Sequence, residues 1–189
     1  MPEESSPASI VSALPYAYPL DEFYARSGLP LPPIERLAGE QVPEPFRSLL
    51  VHADDMTPTL EKFHGGRIGL RVLQREQRGD FYYRQIVLFL EDGKKPVEFG
   101  ANKVSLLLYP PRARQMILEE GIPLGRVLAE CEIPHTTQAK AFFKVQADVL
   151  IADLLGVTSP ITLYGRRATI FDAQKRPLSE VVEILPPGT

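Results

Sequence analysis

Two charged residues stand where the hydrophobic period asks for core side chains. In residues 81–90, Tyr82, Arg84, Ile86, Leu88 and Leu90 fall on one face of an extended chain, and Arg84 is the only charge among them. A guanidinium in apolar surroundings needs an anion, from a protein carboxylate or from a ligand, because burying it unpaired is costly. Its planar fork matches a carboxylate well. In residues 180–185, Val181, Glu183 and Leu185 share one face while Val182 and Ile184 share the other. Glu183 is therefore a carboxyl inside an apolar strand, and a desolvated carboxyl is a candidate general acid or base. The structural alternatives stay open: an internal salt bridge for Arg84, and a role for Glu183 as partner to Arg84 or Arg166.

Weaker signals accompany them. Ile122-Pro123-Leu124-Gly125-Arg126 reads as a helix start whose glycine permits close approach and whose free amides could hold an anion. Gly165-Arg166-Arg167 lies in an expected strand, where alternation turns one arginine inward, toward a second carboxylate or an internal salt bridge. Cys131 is the only cysteine, so no intrachain disulfide can form, and a small buried hydrophobe is a better reading of it than a nucleophile. His52, His64 and His135 are far apart, and neither CxxC nor HExxH occurs, so no metal site is expected. Glycine-rich phosphate loops are absent as well, and no cofactor is expected.

The elements that must position these residues read as α+β. Residues 1–45 hold nine of the 19 prolines, which argues against regular helix or central strand there. With Tyr16, Tyr18, Phe23 and Tyr24 this segment reads as an extended arm packed on the domain formed by residues 46–189; a partner-docking segment is the alternative. A short helix follows Pro45 as far as His52. A second has Thr57 as N-cap and Pro58 at its first position, turns Leu60 and Phe63 inward, and ends at Gly65-Gly66. Strands are expected over 67–74, 81–90 and 96–108, the last with a break near Gly100-Ala101-Asn102, and Asp92-Gly93 marks a hairpin turn. Helices over 111–120 and from Leu124 come next. Residues 137–155 start with strand alternation and end as helix before Gly156, and strands over 161–171 and 180–185 close the chain. Short turns between strands, with helices inserted, imply a mainly antiparallel sheet with helices over a buried site.

Composition narrows the partners. A net charge of -3 offers no basic field for nucleic acid. No apolar stretch approaches the roughly 20 residues of a membrane span, and the N-terminus lacks the pattern of a secretory signal. A soluble, cytoplasmic protein acting on a small molecule is expected, with its oligomeric state open.

Asp54-Asp55-Met56-Thr57, Tyr83-Arg84-Gln85-Ile86, Pro123-Leu124-Gly125-Arg126, Leu163-Tyr164-Gly165-Arg166-Arg167 and Val182-Glu183-Ile184-Leu185-Pro186 together resemble the chorismate pyruvate-lyase family, in order and in spacing, over about residues 46–186. The resemblance implies an antiparallel sheet with helical flaps over a closed site, and conversion of chorismate to 4-hydroxybenzoate and pyruvate for ubiquinone synthesis. It places substrate contacts at Met56, Arg84, Leu124 and Glu183. On that reading Arg84 and Glu183 are the expected catalytic residues, the first gripping a carboxylate and the second acting as general acid or base, and Arg166, from the strand alternation above, is added for a second carboxylate. Residues 1–45 and 137–162 depart from that pattern. The same fold is similar to the effector-binding domains of GntR-type regulators, in which a DNA-binding domain precedes the ligand domain; the first 45 residues here are too proline-rich to be one. That second likeness implies a domain that binds a small aromatic acid without chemistry. A scaffold that docks a partner through its arm is the third reading.

Overall fold

A computed structural model describes residues 15–188. Its centre is one seven-stranded sheet in the order β1-β5-β6-β7-β4-β3-β2, with every neighbouring pair antiparallel. The strands are β1 (Ile34–Leu37), β2 (Ile68–Arg78), β3 (Phe81–Leu90), β4 (Pro96–Ser105), β5 (His135–Gln146), β6 (Thr162–Asp172) and β7 (Pro177–Leu185). The helices are α1 (Leu20–Arg26), α2 (Phe46–Leu50), α3 (Met56–His64), α4 (Pro111–Glu119), α5 (Leu124–Glu130) and α6 (Val149–Leu155). The expected α+β architecture with a mainly antiparallel sheet is what forms. Among the described residues no helix is long and apolar enough to cross a membrane.

The period of two gives the sheet two different faces. Tyr83, Val87, Phe99, Ala101, Phe143, Val145, Leu163, Val182 and Ile184 point to one side, where α1 and α6 cover them. The proline-rich segment was expected to be free of helix, yet Leu20–Arg26 is proline-free and forms one, with Pro19 at its N-cap. Leu20, Phe23 and Tyr24 are each 1% exposed and belong to this core. Burial of each such side chain is worth about 1.5–3 kcal/mol. Further along the same segment, β1 adds an edge strand to β5.

The opposite face carries two apolar clusters. One gathers Tyr82, Val104, Ala168, Ile170 and Val181 under α4 and α5; the other gathers Ile86, Leu88, Leu185, Leu60 and Met56 under α2 and α3. Arg126 of α5 bonds Glu61 of α3 and so ties the two helices together. At Gly125 a Cβ would come within 2.9 Å of Thr57 Oγ1, so glycine is what lets the start of α5 sit against the start of α3. The expected break at Gly100 does not occur, because β4 runs unbroken through it. Glycine is needed there for a different reason: a Cβ would lie 1.9 Å from the Val182 carbonyl oxygen of β7.

Local boundaries shift for identifiable reasons. The N-cap of α3 is Asp55, two residues before Thr57, with its side chain held by β5. Leu60 is fully buried as expected, whereas Phe63 is exposed and stands edge-on to His64. Residues 106–108, read as strand, form a 3-10 turn. The ambiguous stretch divides at Asp148, whose carboxylate accepts from the Ile151 amide and starts α6.

Candidate functional site

A polar seam crosses the sheet between the two apolar clusters. Register builds it: Arg166 on β6 is paired with Glu183 on β7, Glu183 with Gly100 on β4, and Asn102 on β4 with Arg84 on β3. Glu98 has the same parity as Gly100 and Asn102 and joins them on this face. Arg84, Glu98, Asn102, Arg166 and Glu183 are all buried.

Arg166 has no solvent exposure, and its bonds organise one wall. Nε donates to Glu183 Oε2 at 2.5 Å; Nη1 donates to the Leu50 and His52 carbonyls, both at 3.2 Å; Nη2 donates to the Asp54 carbonyl at 3.0 Å. The inward arginine of the Gly165-Arg166-Arg167 segment thus holds the chain between α2 and α3 against the sheet. Arg167 turns the other way, to Glu180 at 3.2 Å.

The pocket lies above the seam. Met56, Ile86, Leu88, Pro123, Leu124, Ile170 and Val181 give it apolar walls; Glu98, Asn102, Arg166 and Glu183 give it a polar floor; Asp55, Thr57 and Thr137 stand at its rim. It is half open and offers about 40 Å³ of free space, room for a few waters. The first residues of α3 and α5 form its roof. Met56, Leu124, Glu183 and Arg166 therefore share one cavity. Arg84 does not line it. Its Nε donates to Asn102 Oδ1 at 3.2 Å and its Nη1 to the Ile117 carbonyl at 3.5 Å, which places the guanidinium behind Asn102 and beneath α4. Nη2 has no hydrogen-bond partner among the described residues. Burial lowers the pKa of Arg84, opposed by Tyr82, Glu120 and Tyr109.

Glu98 escapes a reading of the sequence alone. Its carboxyl is 3% exposed, and Oε2 is buried without a hydrogen-bond partner among the described residues. Burial, and then the neighbouring Glu183, push its pKa well above the carboxylate range, with Arg166 opposing them. The clue was parity with Gly100 and Asn102. Only the pairing of β4 with β7, however, shows that this parity faces Glu183.

The rim has its own charge pair. His135 Nε2 lies 2.7 Å from Asp55 Oδ2, Nδ1 lies 2.7 Å from the Ile133 carbonyl, and Thr137 donates to Asp55 Oδ1 at 2.6 Å. Both ring nitrogens face oxygen acceptors, which suits the doubly protonated ring. Burial lowers the pKa of His135, but the bonds to Ile133 and Asp55 outweigh it and the net shift is upward. This pair fastens the start of α3, and so the roof, to β5.

No protein-family model matches the chain, and no curated protein matches it at a significant level. Solved structures do match. PhnF from Mycobacterium smegmatis superposes with a TM-score of 0.57 at 12% identity, over 89% of this chain and 93% of that one. Its separately solved effector domain gives 0.53 at 12% identity, over 70% of this chain and 88% of that one. The ligand-binding domain of a Bordetella bronchiseptica protein assigned to the GntR family of transcriptional regulators gives 0.50 at 15%, over 64% and 86%. The chain has the fold of these structures. At such identities the likeness establishes the fold alone. The lyase expectation is corrected by it all the same: the domains named are an effector domain and the ligand-binding domain of a transcriptional regulator rather than lyases. The geometry gives a physical reason for the correction, since Arg84, the residue expected to stabilise a departing carboxylate, stands outside the cavity with Asn102 between.

Proposed function

We propose that this chain is a non-catalytic binding domain for a small organic molecule, which it holds in the cavity between the sheet and the starts of α3 and α5. One observation carries the reading: a half-open pocket with apolar walls whose floor holds a buried carboxyl, Glu98, with an oxygen that no described residue satisfies. Native proteins seldom leave such a group without a partner, and a ligand or water is the usual one. Ligand sites in general combine mostly apolar walls with a few convergent polar groups.

Met56 and Leu124 would pack on the apolar body of the ligand. Glu183, held by Arg166, would face its polar end together with Glu98 and Asn102. Arg84 would act through Asn102 by fixing the orientation of its amide. Ligand cavities for ring-sized molecules run to about 300 Å³ or more, so a ring enters only as the roof lifts. The Asp55–His135 pair and the Arg126–Glu61 pair resist that movement. The resemblance to PhnF and to the Bordetella domain supports a role in which occupancy shifts the roof. Residues 15–45 would belong to the same folding unit, since α1 completes the core on the far face of the sheet.

Thermal denaturation tests this reading. A small molecule that binds the folded state raises Tm increasingly with its concentration relative to Kd, and Leu124→Trp, which fills the cavity, removes the rise. Protein incubated with chorismate should yield pyruvate no faster than the protein-free control. Turnover above the control that disappears in Glu183→Gln would refute the non-catalytic reading.

A further inference from the structure

We propose that the ligand of this cavity is a cation, a protonated amine on an apolar body, which sits between the carboxyl groups of Glu98 and Glu183 and displaces a proton from Glu98 as it binds. The proposal rests on the binding-domain reading and adds the charge of the ligand.

The charges around the floor decide it. Two carboxyls, Glu98 on β4 and Glu183 on β7, face one guanidinium, Arg166 on β6. That guanidinium already makes five contacts, to Glu183, to three backbone carbonyls and to the His52 ring, so it has little left for an anionic guest. The other nearby charges are either committed or screened from the cavity. Asp55, before α3, is held by His135 and Thr137 of β5. Arg84 on β3 is separated from the cavity by Asn102. The residues that α5 and its N-cap present, Pro123, Leu124 and Gly125, are uncharged. A carboxylate ligand would thus bring another negative charge to a floor with no unused cation, at a large desolvation cost.

An ammonium meets the opposite situation. Burial, and then the neighbouring Glu183, favour the protonated form of Glu98 over the charged one. Its Oε2 has no hydrogen-bond partner among the described residues. An ammonium group carries three donors and can bond Glu98 and Glu183 at once through charge-assisted hydrogen bonds. The exchange balances: the carboxylic O–H of Glu98 breaks, its proton passes to solvent, and the ammonium takes its place beside the carboxylate. The net charge of the filled floor stays that of the empty, protonated one, because the new ammonium is matched by the new Glu98 carboxylate, and the low-dielectric site gains two charge-assisted bonds. The walls of Met56, Ile86, Leu88 and Leu124 receive the apolar body.

Calorimetric titration of the full chain tests the proposal, with benzylamine as probe and 4-hydroxybenzoate and benzyl alcohol as its anionic and neutral counterparts. Buffers of different protonation enthalpy report proton release. Benzylamine should bind with release of a proton, and its apparent affinity should rise about tenfold per pH unit while Glu98 is protonated in the free protein. Glu98→Gln should abolish that slope and weaken binding at least about tenfold, the loss of one charge-assisted bond. Difference infrared spectra of the unmutated protein provide an independent readout, because the protonated-carboxyl band should vanish on adding benzylamine. Binding of 4-hydroxybenzoate without binding of benzylamine would overturn the proposal and leave the binding-domain reading standing. Benzylamine binding without pH slope or proton release would overturn the displacement of the Glu98 proton. Binding of none of the three aryl probes would overturn both readings.

Discussion

Replacing Arg166 by methionine should be among the most damaging single changes in this chain, and the structure says by how much. The guanidinium is fully buried and donates to Glu183 at 2.5 Å and to the carbonyls of Leu50, His52 and Asp54 at 3.0–3.2 Å. Removing one partner of a buried ion pair strands the other charge and costs about 3–5 kcal/mol. The three carbonyls can turn toward water as residues 50–54 loosen, so they add about 1–2 kcal/mol at most. A loss of about 4–7 kcal/mol consumes much of the roughly 5–15 kcal/mol that holds a typical domain. The double variant Arg166→Met/Glu183→Leu leaves no stranded charge and should recover at least about 2 kcal/mol of that loss. Urea denaturation with an unchanged m-value measures both. Hydrogen exchange should accelerate at residues 50–55 in the single variant. A single-variant cost below about 1 kcal/mol, or a double variant no more stable than the single one, would refute the account of the seam.

Three further outcomes follow from the same geometry. Glu98 has a folded pKa raised by burial, so the folded state holds a proton that the unfolded chain releases above about pH 4.5. Stability from this group therefore declines as pH climbs from there toward the folded pKa, and Glu98→Gln should flatten that decline and raise Tm at neutral pH. His135 also has a raised folded pKa. The stability from its pair with Asp55 is complete below about pH 6.5 and is lost as pH rises through the folded pKa; hydrogen exchange at the start of α3 should quicken over that rise in the unmutated protein and show no such step in His135→Gln. Phe23→Ala removes a ring that is 1% exposed and should cost about 3–5 kcal/mol by denaturation, which would mark α1 as part of the domain rather than an appendage.

The strands were legible because a single charge in an alternating apolar run is conspicuous. Arg84 and Glu183 announce themselves that way, and both are buried on the face their parity assigns. Parity cannot say how strands order themselves across the sheet, and the order decides the site. Arg166 rather than Arg84 stands opposite Glu183, because β6 and not β3 is the neighbour of β7 on that side. Glu98 lies near the start of an expected strand where no alternating apolar run sets it apart, and only the pairing of β4 with β7 places its face beside Glu183. The proline count misled about residues 15–45 because a proline-free run as short as Leu20–Arg26 is enough for two turns of helix once Phe23 and Tyr24 find an apolar sheet to cover. Asp55 was invisible as a rim residue, since its partners His135 and Thr137 lie some eighty residues away in the chain.

The most direct test of the central claim is a map of where small molecules act on the chain. Backbone amide spectra recorded during titration with benzylamine and with 4-hydroxybenzoate locate the response residue by residue. Shifts that cluster at Met56, Glu98, Asn102, Leu124 and Glu183, and fade in Leu124→Trp, are the predicted result. Shifts confined to the open groove lined by Pro30, Leu31 and Val149 on the far side of the chain, or no shifts with any probe, would contradict it.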